Sequence, residues 1–576
     1  MRLKVLIYIV CILNLSCNTL SEESISLERD IIKPDKLKNY IGDFNKNDNE
    51  IYKQFIPNNK AFTFLSKNIP IIDIPNKDIE EIYYFRWWTY RKHIKNTNDG
   101  FVITEFLPDV NWSKKHNTIN CPAAHHIYEG RWLRNPKYIS EYIDFWLNKS
   151  GDGIRQYSFW IADAVLAFNN IHRNDSILSN QITPLMNNYS EWTKIRKDSD
   201  KALFWQRDEY DGMELTVSGR ILNQGVETFG VAATRPTINS YMYGDAKAIA
   251  KLSYLNNDNK NAEKYEQKAA KIKKEFQSRL WNNDLNFFTV LPKNYEKTTK
   301  PLNIRELIGY VPWYFNLPDD KKEYSLAWEK IKDSTGFAAP LGLTVTEQSH
   351  PFFKISYEGH ECQWNGPSWP FATTQTLKAM ANFLNNYTNN KTVSKQDYYD
   401  ILLQYAKQHK LKTDDGEIVN WIDENLNPYT GDWISRTRIM SWMFNQYTSE
   451  KRYNYFFELF KNNKSWLVQG GGFDKEKHYG GFERGKDYNH SGFTDLILSD
   501  LLGIKPGIDG VIEITPLVPD DWEWFAVNKI FYQGKNISLV WDKTGKKYEL
   551  GKGFMLFVDN KLVARSNEIK QIVYNL

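Results

Sequence analysis

Several stretches of this chain bring carboxylates, aromatic rings and hydrogen-bonding side chains close together in sequence. They are residues 85–93, 104–112, 121–134, 157–164, 207–220, 234–246, 360–377, 420–438 and 483–496. Inverting glycoside hydrolysis needs two such groups on opposite sides of a sugar: a carboxylic acid that donates a proton and a carboxylate that activates water. The stretches therefore supply the residue types for chemistry on a carbohydrate, if the fold brings them to one place.

The stretch HECQWNGPSWPFATTQTL, residues 360–377, places two tryptophans on either side of a Gly-Pro turn. A sugar ring presents both an apolar face and hydroxyl groups, so it suits an aromatic ring with polar neighbours. We expect Trp364 to be the sugar platform and Trp369 to pack in the following helix; the alternative is that both belong to the core. The turn at Asn365-Gly366-Pro367 lets the backbone approach a ring closely.

Histidine and arginine recur in the same stretches, at His125, His126, His360, His490, Arg86, Arg131, Arg207, Arg436 and Arg438. A pocket rich in these side chains indicates an anionic substrate, such as a uronate or a sulfated sugar. The alternative is that each arginine pairs with a nearby carboxylate. Neither HExxH nor HxH occurs, so we expect no metal site and no cofactor. The candidate substrate-binding residues are Arg86, Trp88, Glu105, His126, Glu129, Arg131, Trp160, Asp163, His360, Gln363, Trp364, Asn365, Arg436 and Arg438.

The elements that must position these residues are mostly helices. In residues 135–150, Ile139, Tyr142, Ile143, Trp146 and Leu147 follow helical spacing. Similar patterns predict helices over 158–168, 236–255, 261–280, 321–332, 369–385, 396–409, 436–447, 450–461 and 493–502. About twelve helices in hairpin succession would close a double ring, an (α/α)6 toroid, whose connecting loops gather at one mouth.

The residue pattern changes after Gly503, where short runs rich in β-forming residues end at Gly, Asn or Asp-Lys. We therefore predict a mainly α protein with a small C-terminal antiparallel β domain. The predicted organisation is a signal peptide over 1–17, a tether and irregular segment over 18–77, the catalytic (α/α)6 domain over 78–504 and the β domain over 505–576.

The helical part resembles the six-hairpin glycosidases, especially the family 63-like and mannosylglycerate-hydrolase-like enzymes, over roughly residues 83–506. WNGPSWP resembles their Trp-x-Gly-Pro-x-Trp-Pro stretch, and ENLNPYTG resembles the stretch that carries their catalytic base. The resemblance implies that Glu424 is the base and that Asp211, in EYDGMELTVS, is the general acid. Because Gly212-Met213-Glu214 departs from the usual sequence there, Glu214 is the alternative acid.

Three functions are compatible with these residues. The first is an exported, exo-acting, inverting glycoside hydrolase that acts on short, acidic oligosaccharides from polysaccharide breakdown. The second is a dehydratase or lyase that acts on a terminal uronic acid and uses His125 or His490 as the base. The third is a sugar-binding lipoprotein without catalysis.

Composition and the N-terminus bear on partners and location. The chain has 74 basic and 70 acidic residues, and this balance argues against a nucleic-acid binder. A charged start, a short apolar run over residues 5–13 and Leu15-Ser16-Cys17 resemble a lipoprotein leader, with Cys17 as the lipidation site. We expect a periplasmic or surface protein that is anchored to the outer membrane through this lipid and takes an oligosaccharide substrate. Cys121 and Cys362 form either a disulfide or two buried thiols; the oligomeric state is left open.

Overall fold

The computed structural model describes residues 27, 31–48, 50, 52–198, 200–360, 362–413, 416–437 and 484–576. Cys17 and Arg438 lie outside these residues, as do the helix expected over 450–461 and most of the helix expected over 436–447. Among the helices within the described ranges, none is both long enough and apolar enough to cross a membrane.

Helices make up most of the chain between residues 77 and 408. The α-helices in the described residues are Asp35–Lys46, Asn58–Asn68, Lys77–Lys92, Ala123–Gly130, Lys137–Asp144, Ile161–Ile171, Asp175–Arg196, Val217–Leu222, Pro236–Leu255, Asn259–Leu280, Val311–Tyr314, Lys322–Ser325, Pro370–Asn386 and Lys395–Gln408. Short 3-10 turns occupy Lys115–Asn117, Gly151–Arg155, Asp208–Asp211, Leu307–Tyr310 and Leu326–Ile331, and π-helical turns occupy Phe145–Lys149 and Leu496–Leu501.

Some helices are buried around their whole circumference, and others are buried on one face. Residues 82–92 of Lys77–Lys92 and residues 236–246 of Pro236–Leu255 are all buried. In contrast, Asn259–Leu280 buries Ala262, Tyr265, Ala269 and other residues at helical spacing and exposes the rest. A helix buried all round belongs to an inner layer, and a one-sided helix covers it.

The helix Pro236–Leu255 forms a hairpin with Asn259–Leu280 through a three-residue turn at 256–258, and it also packs against Ile161–Ile171. This arrangement pairs an inner with an outer helix. The molecule is accordingly mainly α, an (α/α)6 toroid with a small antiparallel β domain, as the sequence predicts.

The β domain contains two antiparallel sheets. The three-stranded sheet has the order Ile504–Pro506, Val511–Ile514, Ile572–Asn575. The five-stranded sheet has the order Ile71–Asp73, Trp524–Tyr532, Lys535–Asp542, Gly553–Val558, Lys561–Ser566. The strand Gly553–Val558 is buried along its whole length, so both faces of this sheet are covered there.

Short strands also stiffen the loops of the helical body. They are Ile94–Thr97 with Gly100–Ile103, Gln206–Arg207 with Ala232–Thr234 and Leu291–Pro292, Trp281–Asn282 with Phe287–Phe288, Ala338–Ala339 with Gly342–Leu343, and Lys410–Lys412 with Ile418–Asn420.

The segment before the toroid differs from the expected irregular tether. It contains the helices Asp35–Lys46 and Asn58–Asn68, and the strand Ile71–Asp73 pairs with residues 526–528 at the edge of the C-terminal sheet. Lys36 forms ion pairs with Asp73 and with the fully buried Glu80. The prediction of an irregular segment up to residue 77 was therefore wrong, because these partners lie far away in sequence.

Candidate active site

A cavity of about 380 Å³ opens where loops precede the N-termini of several helices. Cys121 precedes Ala123–Gly130, Glu214 precedes Val217–Leu222, and Trp369 precedes Pro370–Asn386. The loops thus gather at one mouth of the toroid, as the hairpin pattern predicts. The lining residues are Glu105, Phe106, Asn111, Trp112, Ile119, Cys121, Tyr157, Gly212, Glu214, His360, Cys362, Trp364, Trp369, Phe371, Glu424, Arg484, Tyr488 and His490.

The loop that carries Glu424 is fastened to the WNGPSWP loop. Ser368 and Leu426 exchange two backbone hydrogen bonds, each with an N–O distance of 3.0 Å. Next to Glu424, the Asp423 carboxylate accepts hydrogen bonds from the Glu424 backbone N–H and from the Ser435 hydroxyl. Both sequence motifs therefore belong to one rigid unit, which fixes the Glu424 side chain against the tryptophan loop.

Glu424 is buried and contacts two polar side chains in the cavity wall. The Cys362 thiol donates to Oε2 of Glu424 with an S–O distance of 3.2 Å. Nη2 of Arg484 lies 3.7 Å from Oε1 of Glu424, and both side chains are 2% exposed. A guanidinium at this distance supports the negative charge that a general base must carry.

Glu214 reaches the same cavity from another loop. Its backbone carbonyl accepts a hydrogen bond from the N–H of Trp364, with an N–O distance of 3.0 Å. Gly212, two residues earlier, has a φ of +73°, and a Cβ there would lie 2.7 Å from Sγ of Cys121. Since L side chains rarely adopt that φ and a Cβ would crowd the thiol, glycine suits this loop as it approaches the cavity before Glu214.

Asp211, the acid implied by the family resemblance, does not line the cavity. Its Oδ2 accepts a hydrogen bond from Nε of Arg235 with an N–O distance of 2.6 Å, and both side chains are almost completely buried. The hydroxyls of Ser158 and Thr237 also donate to the carboxylate. Asp211 therefore forms a buried ion pair with Arg235 outside the cavity lining, and its role as the acid stays a prediction.

Glu105 is a third carboxyl group in the cavity wall. The hydroxyl of Tyr488 donates to its Oε1 with an O–O distance of 2.6 Å. Burial is the main cause that raises the pKa of Glu105 to about 8, and the negative charge of Glu424 acts in the same direction. The Tyr488 hydrogen bond opposes this rise without cancelling it. At neutral pH this carboxyl group is therefore largely protonated.

Both tryptophans of the WNGPSWP loop line the cavity. Their rings stack on each other with centroids 4.4 Å apart and an interplanar angle of 20°. Each therefore offers the cavity at most one face, and the role of Trp364 as the platform stays a prediction. The close approach at Gly366 is to the backbone, since a Cβ there would lie 2.2 Å from the carbonyl oxygen of Lys354.

The two histidines proposed as dehydratase bases occupy different positions. His490 lines the cavity, whereas His125 lies behind it, edge-on to Trp160 and Phe371. Burial lowers the pKa of His125 to about 3 and lowers that of His490 well below its usual value. Both imidazoles are consequently neutral, and His125 has no access to a substrate in the cavity.

The arginines expected to bind an anionic substrate have other partners. Arg131 pairs with Asp495 across an N–O distance of 2.7 Å, and Arg86 donates to the carbonyl of Ser491 across 2.6 Å. Arg436 lies in a separate groove, with its guanidinium 5.7 Å from the centre of the Trp421 ring. Arg207 does not line the cavity either, so the structure supports pairing for these side chains and not a cluster of cations around a substrate.

The structure thus brings together part of the predicted site. The expected residues that line the cavity are Glu105, Glu214, His360, Trp364, Glu424 and His490. Those that do not are Arg86, Trp88, His125, His126, Glu129, Arg131, Trp160, Asp163, Asp211, Gln363, Asn365 and Arg436. Many residues of the second group form hydrogen bonds or ion pairs within the protein. For example, Glu129 accepts hydrogen bonds from the backbone N–H groups of Phe493 and Asp495.

Sequence reasoning missed several cavity residues, notably Trp112, Cys362, Arg484 and Tyr488. All four lie within stretches that were recognised as rich in functional residue types. Trp112 is half-buried, with the guanidinium of Arg484 5.1 Å from its ring centre. The signal that could have identified them is their position beside Glu105, Trp364 and His490 in the same stretches.

Comparison with known proteins identifies the family. The sequence model of the mannosylglycerate hydrolase MGH1-like glycoside hydrolase domain matches residues 115–491, which is most of the helical body. The chain belongs to this family. The matched range contains the Glu214 and Glu424 loops of the cavity. A second model, that of the glycosyl hydrolase family 65 C-terminal domain, matches residues 507–564 in the β domain.

Two solved structures are similar to this chain to different degrees. One described as a sialidase is 36% identical with a TM-score of 0.79, and the match covers 94% of this chain and 44% of that one. This chain therefore spans less than half the length of that protein. The GH63 mannosylglycerate hydrolase from Thermus thermophilus in complex with Tris is 10% identical with a TM-score of 0.43, and the match covers 59% of this chain and 95% of that one.

The two thiols of this MGH1-like family member should react differently with alkylating reagents. Both Cys121 and Cys362 carry their sulfur as a thiol. Cys121 is buried, and burial raises its thiol pKa well above the usual value, so little of the reactive thiolate forms. Cys362 is half-buried beside Glu424, where an added group would occupy the space next to that carboxylate.

We expect iodoacetamide to reduce activity at least about tenfold in wild type and in a Cys121→Ser variant, while a Cys362→Ser variant keeps its activity during the treatment. Residual activity with time of exposure, together with the mass of each modified peptide, is the measurement. Inactivation of Cys362→Ser at the wild-type rate would show that the sensitive thiol is not the one beside Glu424.

Proposed function

We propose that this MGH1-like enzyme is an exo-acting, inverting glycoside hydrolase in which Glu424 is the general base and Glu214 the general acid. The observation that carries the proposal is that these two carboxyl groups line one cavity from separate loops, whereas Asp211 is held by Arg235 outside it. Each loop is fixed by backbone hydrogen bonds to the WNGPSWP loop, through Trp364 for Glu214 and through Ser368 for the Glu424 loop.

The proposed reaction is a single displacement. The Glu214 carboxylic acid donates its proton to the glycosidic oxygen as the bond from that oxygen to the anomeric carbon breaks. The Glu424 carboxylate takes one proton from a water molecule, whose oxygen bonds to the anomeric carbon from the opposite face. The products are a free sugar of inverted configuration and an alcohol, and both carboxyl groups then exchange protons with solvent to restore their starting states.

The size of the cavity favours attack at a chain end. A volume of about 380 Å³ is near the small end of the range for ligand pockets, about 300–1,000 Å³. Aromatic residues contribute to its wall: Phe106 and Trp112 from one loop, and Phe371 from the first turn of the helix Pro370–Asn386. We infer that one terminal sugar enters and that the rest of the oligosaccharide extends past the mouth.

The charges in the cavity favour a neutral sugar over the acidic one expected from the sequence. Among the described lining residues, Glu105, Glu214 and Glu424 are carboxyl groups, and Arg484 is the one guanidinium. Because Arg484 lies beside Glu424, a substrate carboxylate would have to compete for it. Arg438, one of the candidate substrate-binding residues, lies outside the described residues.

One assay tests this function against dehydration. Wild-type protein is incubated separately with neutral and uronate-containing oligosaccharides, while released monosaccharides are separated by chromatography and the absorbance of unsaturated uronates is followed. We expect a neutral monosaccharide to be released from the chain end with no rise in absorbance. A rise in absorbance without chain shortening would instead identify a dehydratase, with His490 as the base that reaches the cavity.

A further inference from the structure

The Glu105 side chain has fewer hydrogen-bond and ion-pair partners than a buried carboxyl group normally has. It is 6% exposed, and Tyr488 is its one side-chain hydrogen-bond donor in the described part of the chain. Within the same residues no lysine, arginine or histidine is among the groups that shift its pKa. A buried polar group without a full set of partners is costly, so such a group in a cavity wall points to a ligand that completes it.

His490, on the other side of Tyr488, also lacks hydrogen-bond partners. It is 3% exposed, its ring centroid lies 4.0 Å from that of Tyr488, and neither ring nitrogen has a hydrogen-bond partner of good geometry among the described residues. Burial lowers the pKa of His490, and the nearby backbone of Glu424 acts in the opposite direction. A neutral imidazole offers one donor and one acceptor, which is the pattern that a sugar hydroxyl also has.

We propose that Glu105 and His490, with Tyr488 between them, form a wall of the cavity that recognises the hydroxyl groups of a neutral terminal sugar and so determines specificity. Tyr488 holds Oε1 of Glu105 as an acceptor, which leaves the protonated Oε2 to donate to a sugar hydroxyl. This inference rests on the proposed glycoside hydrolase function and names the substrate groups that its cavity selects.

The ionisation of Glu105 provides a specific signature for this role. With a pKa of about 8, the carboxyl group donates below that pH and loses its donor above it. Replacement by glutamine keeps a donor at all pH values, and replacement by alanine removes it. The titratable groups that face Glu105 or share its cavity are Glu424, Tyr488, Cys121, Tyr157, Tyr142, Glu214, His490, Cys362, His360 and Arg484.

The experiment measures kcat and KM for the p-nitrophenyl glycoside of the sugar that wild type releases, and for its monodeoxy analogues, between about pH 6 and about pH 9. Glu105→Ala should raise KM about tenfold at pH 6, the cost of an unsatisfied hydrogen bond, with a smaller effect on kcat. Glu105→Gln should keep the wild-type KM at pH 6. Above pH 8 the KM of wild type should rise and that of Glu105→Gln should stay constant.

The deoxy analogues and a control variant separate recognition from a structural effect. For the analogue that lacks the contacted hydroxyl, wild type and Glu105→Ala should have equal KM values. Asp500→Asn removes another buried carboxyl group, one that pairs with Lys378 and does not line the cavity, and should leave KM unchanged.

Three results would overturn the proposal: a KM for Glu105→Gln as high as that for Glu105→Ala, a loss of the same size for every deoxy analogue, or a loss of kcat with KM unchanged. All of these comparisons require that wild type hydrolyses the substrate, so a failure of this proposal can be told apart from a failure of the proposed function. That failure would be the absence of hydrolysis by wild type itself.

Discussion

Replacing Glu424 by glutamine is expected to lower kcat at least about 100-fold, the scale of general acid–base catalysis, while the protein stays folded. Glutamine has nearly the same shape, so it can accept the Cys362 hydrogen bond that Glu424 accepts now. It cannot take a proton from water, and the attacking nucleophile is then not activated. The measurement is kcat on an oligosaccharide substrate, with thermal unfolding as the check on the fold.

Glu417→Gln provides the matched control, because this glutamate is exposed and lies seven positions before Glu424. Its kcat should equal that of wild type. A Glu424→Gln variant with near-normal kcat would remove the base assignment, and a variant that fails to fold would be replaced by Glu424→Asp, whose shorter side chain should also reduce kcat by a large factor.

Glu214→Gln and Asp211→Asn are expected to have different effects. If Glu214 protonates the departing oxygen, Glu214→Gln should lower kcat at least about 100-fold on natural oligosaccharides and far less on an aryl glycoside with an acidic leaving group. Such a leaving group departs without protonation. Asp211→Asn should show no such dependence on the leaving group, because Asp211 does not reach the cavity.

Asp211→Asn should instead reduce stability. It leaves the guanidinium of Arg235 buried without its carboxylate, and breaking a buried pair of this kind costs about 3–5 kcal/mol. Denaturant unfolding of both variants measures this difference. If the aryl glycoside with the acidic leaving group restored the kcat of Asp211→Asn and not that of Glu214→Gln, Asp211 would be assigned as the acid.

The difficulty of choosing between these two acids from sequence has a physical cause. Asp211 ends a 3-10 turn, and Gly212 reverses the chain with a left-handed conformation before Glu214. The two side chains therefore leave the loop in different directions despite being three positions apart. The decisive partner of Asp211 is Arg235, and the pattern around residue 211 does not indicate which arginine will pair with it.

The sequence predicts some helices well and misses others, again for a physical reason. Pro236–Leu255 matches its predicted bounds, because Pro236 occupies the first turn and the apolar spacing continues to Leu255. Within Lys77–Lys92, the sequence marks only residues 85–92 as functional residue types, and no helix is predicted there. This helix is buried on nearly all sides, so it has no polar face to produce the alternation that marks an amphipathic helix.

Long-range contacts account for most of the remaining differences between the features predicted from sequence and the structure. The strand Ile71–Asp73 finds its partner at residues 526–528, and Arg131 finds Asp495. Neither pairing leaves a local pattern in the sequence. The motifs around Glu424 and Trp364 could be located because each is a short continuous stretch, and the fold then joins them through Ser368 and Leu426.

The anomeric configuration of the first sugar released tests the central claim most directly. A proton NMR time course on an oligosaccharide of defined anomeric configuration records the product before mutarotation. Glu424 as a base that activates water, opposite Glu214 as the acid, predicts that the first-formed sugar has the inverted configuration. A first-formed sugar of retained configuration would contradict it, since a covalent intermediate with a side chain of the enzyme would then precede the attack of water.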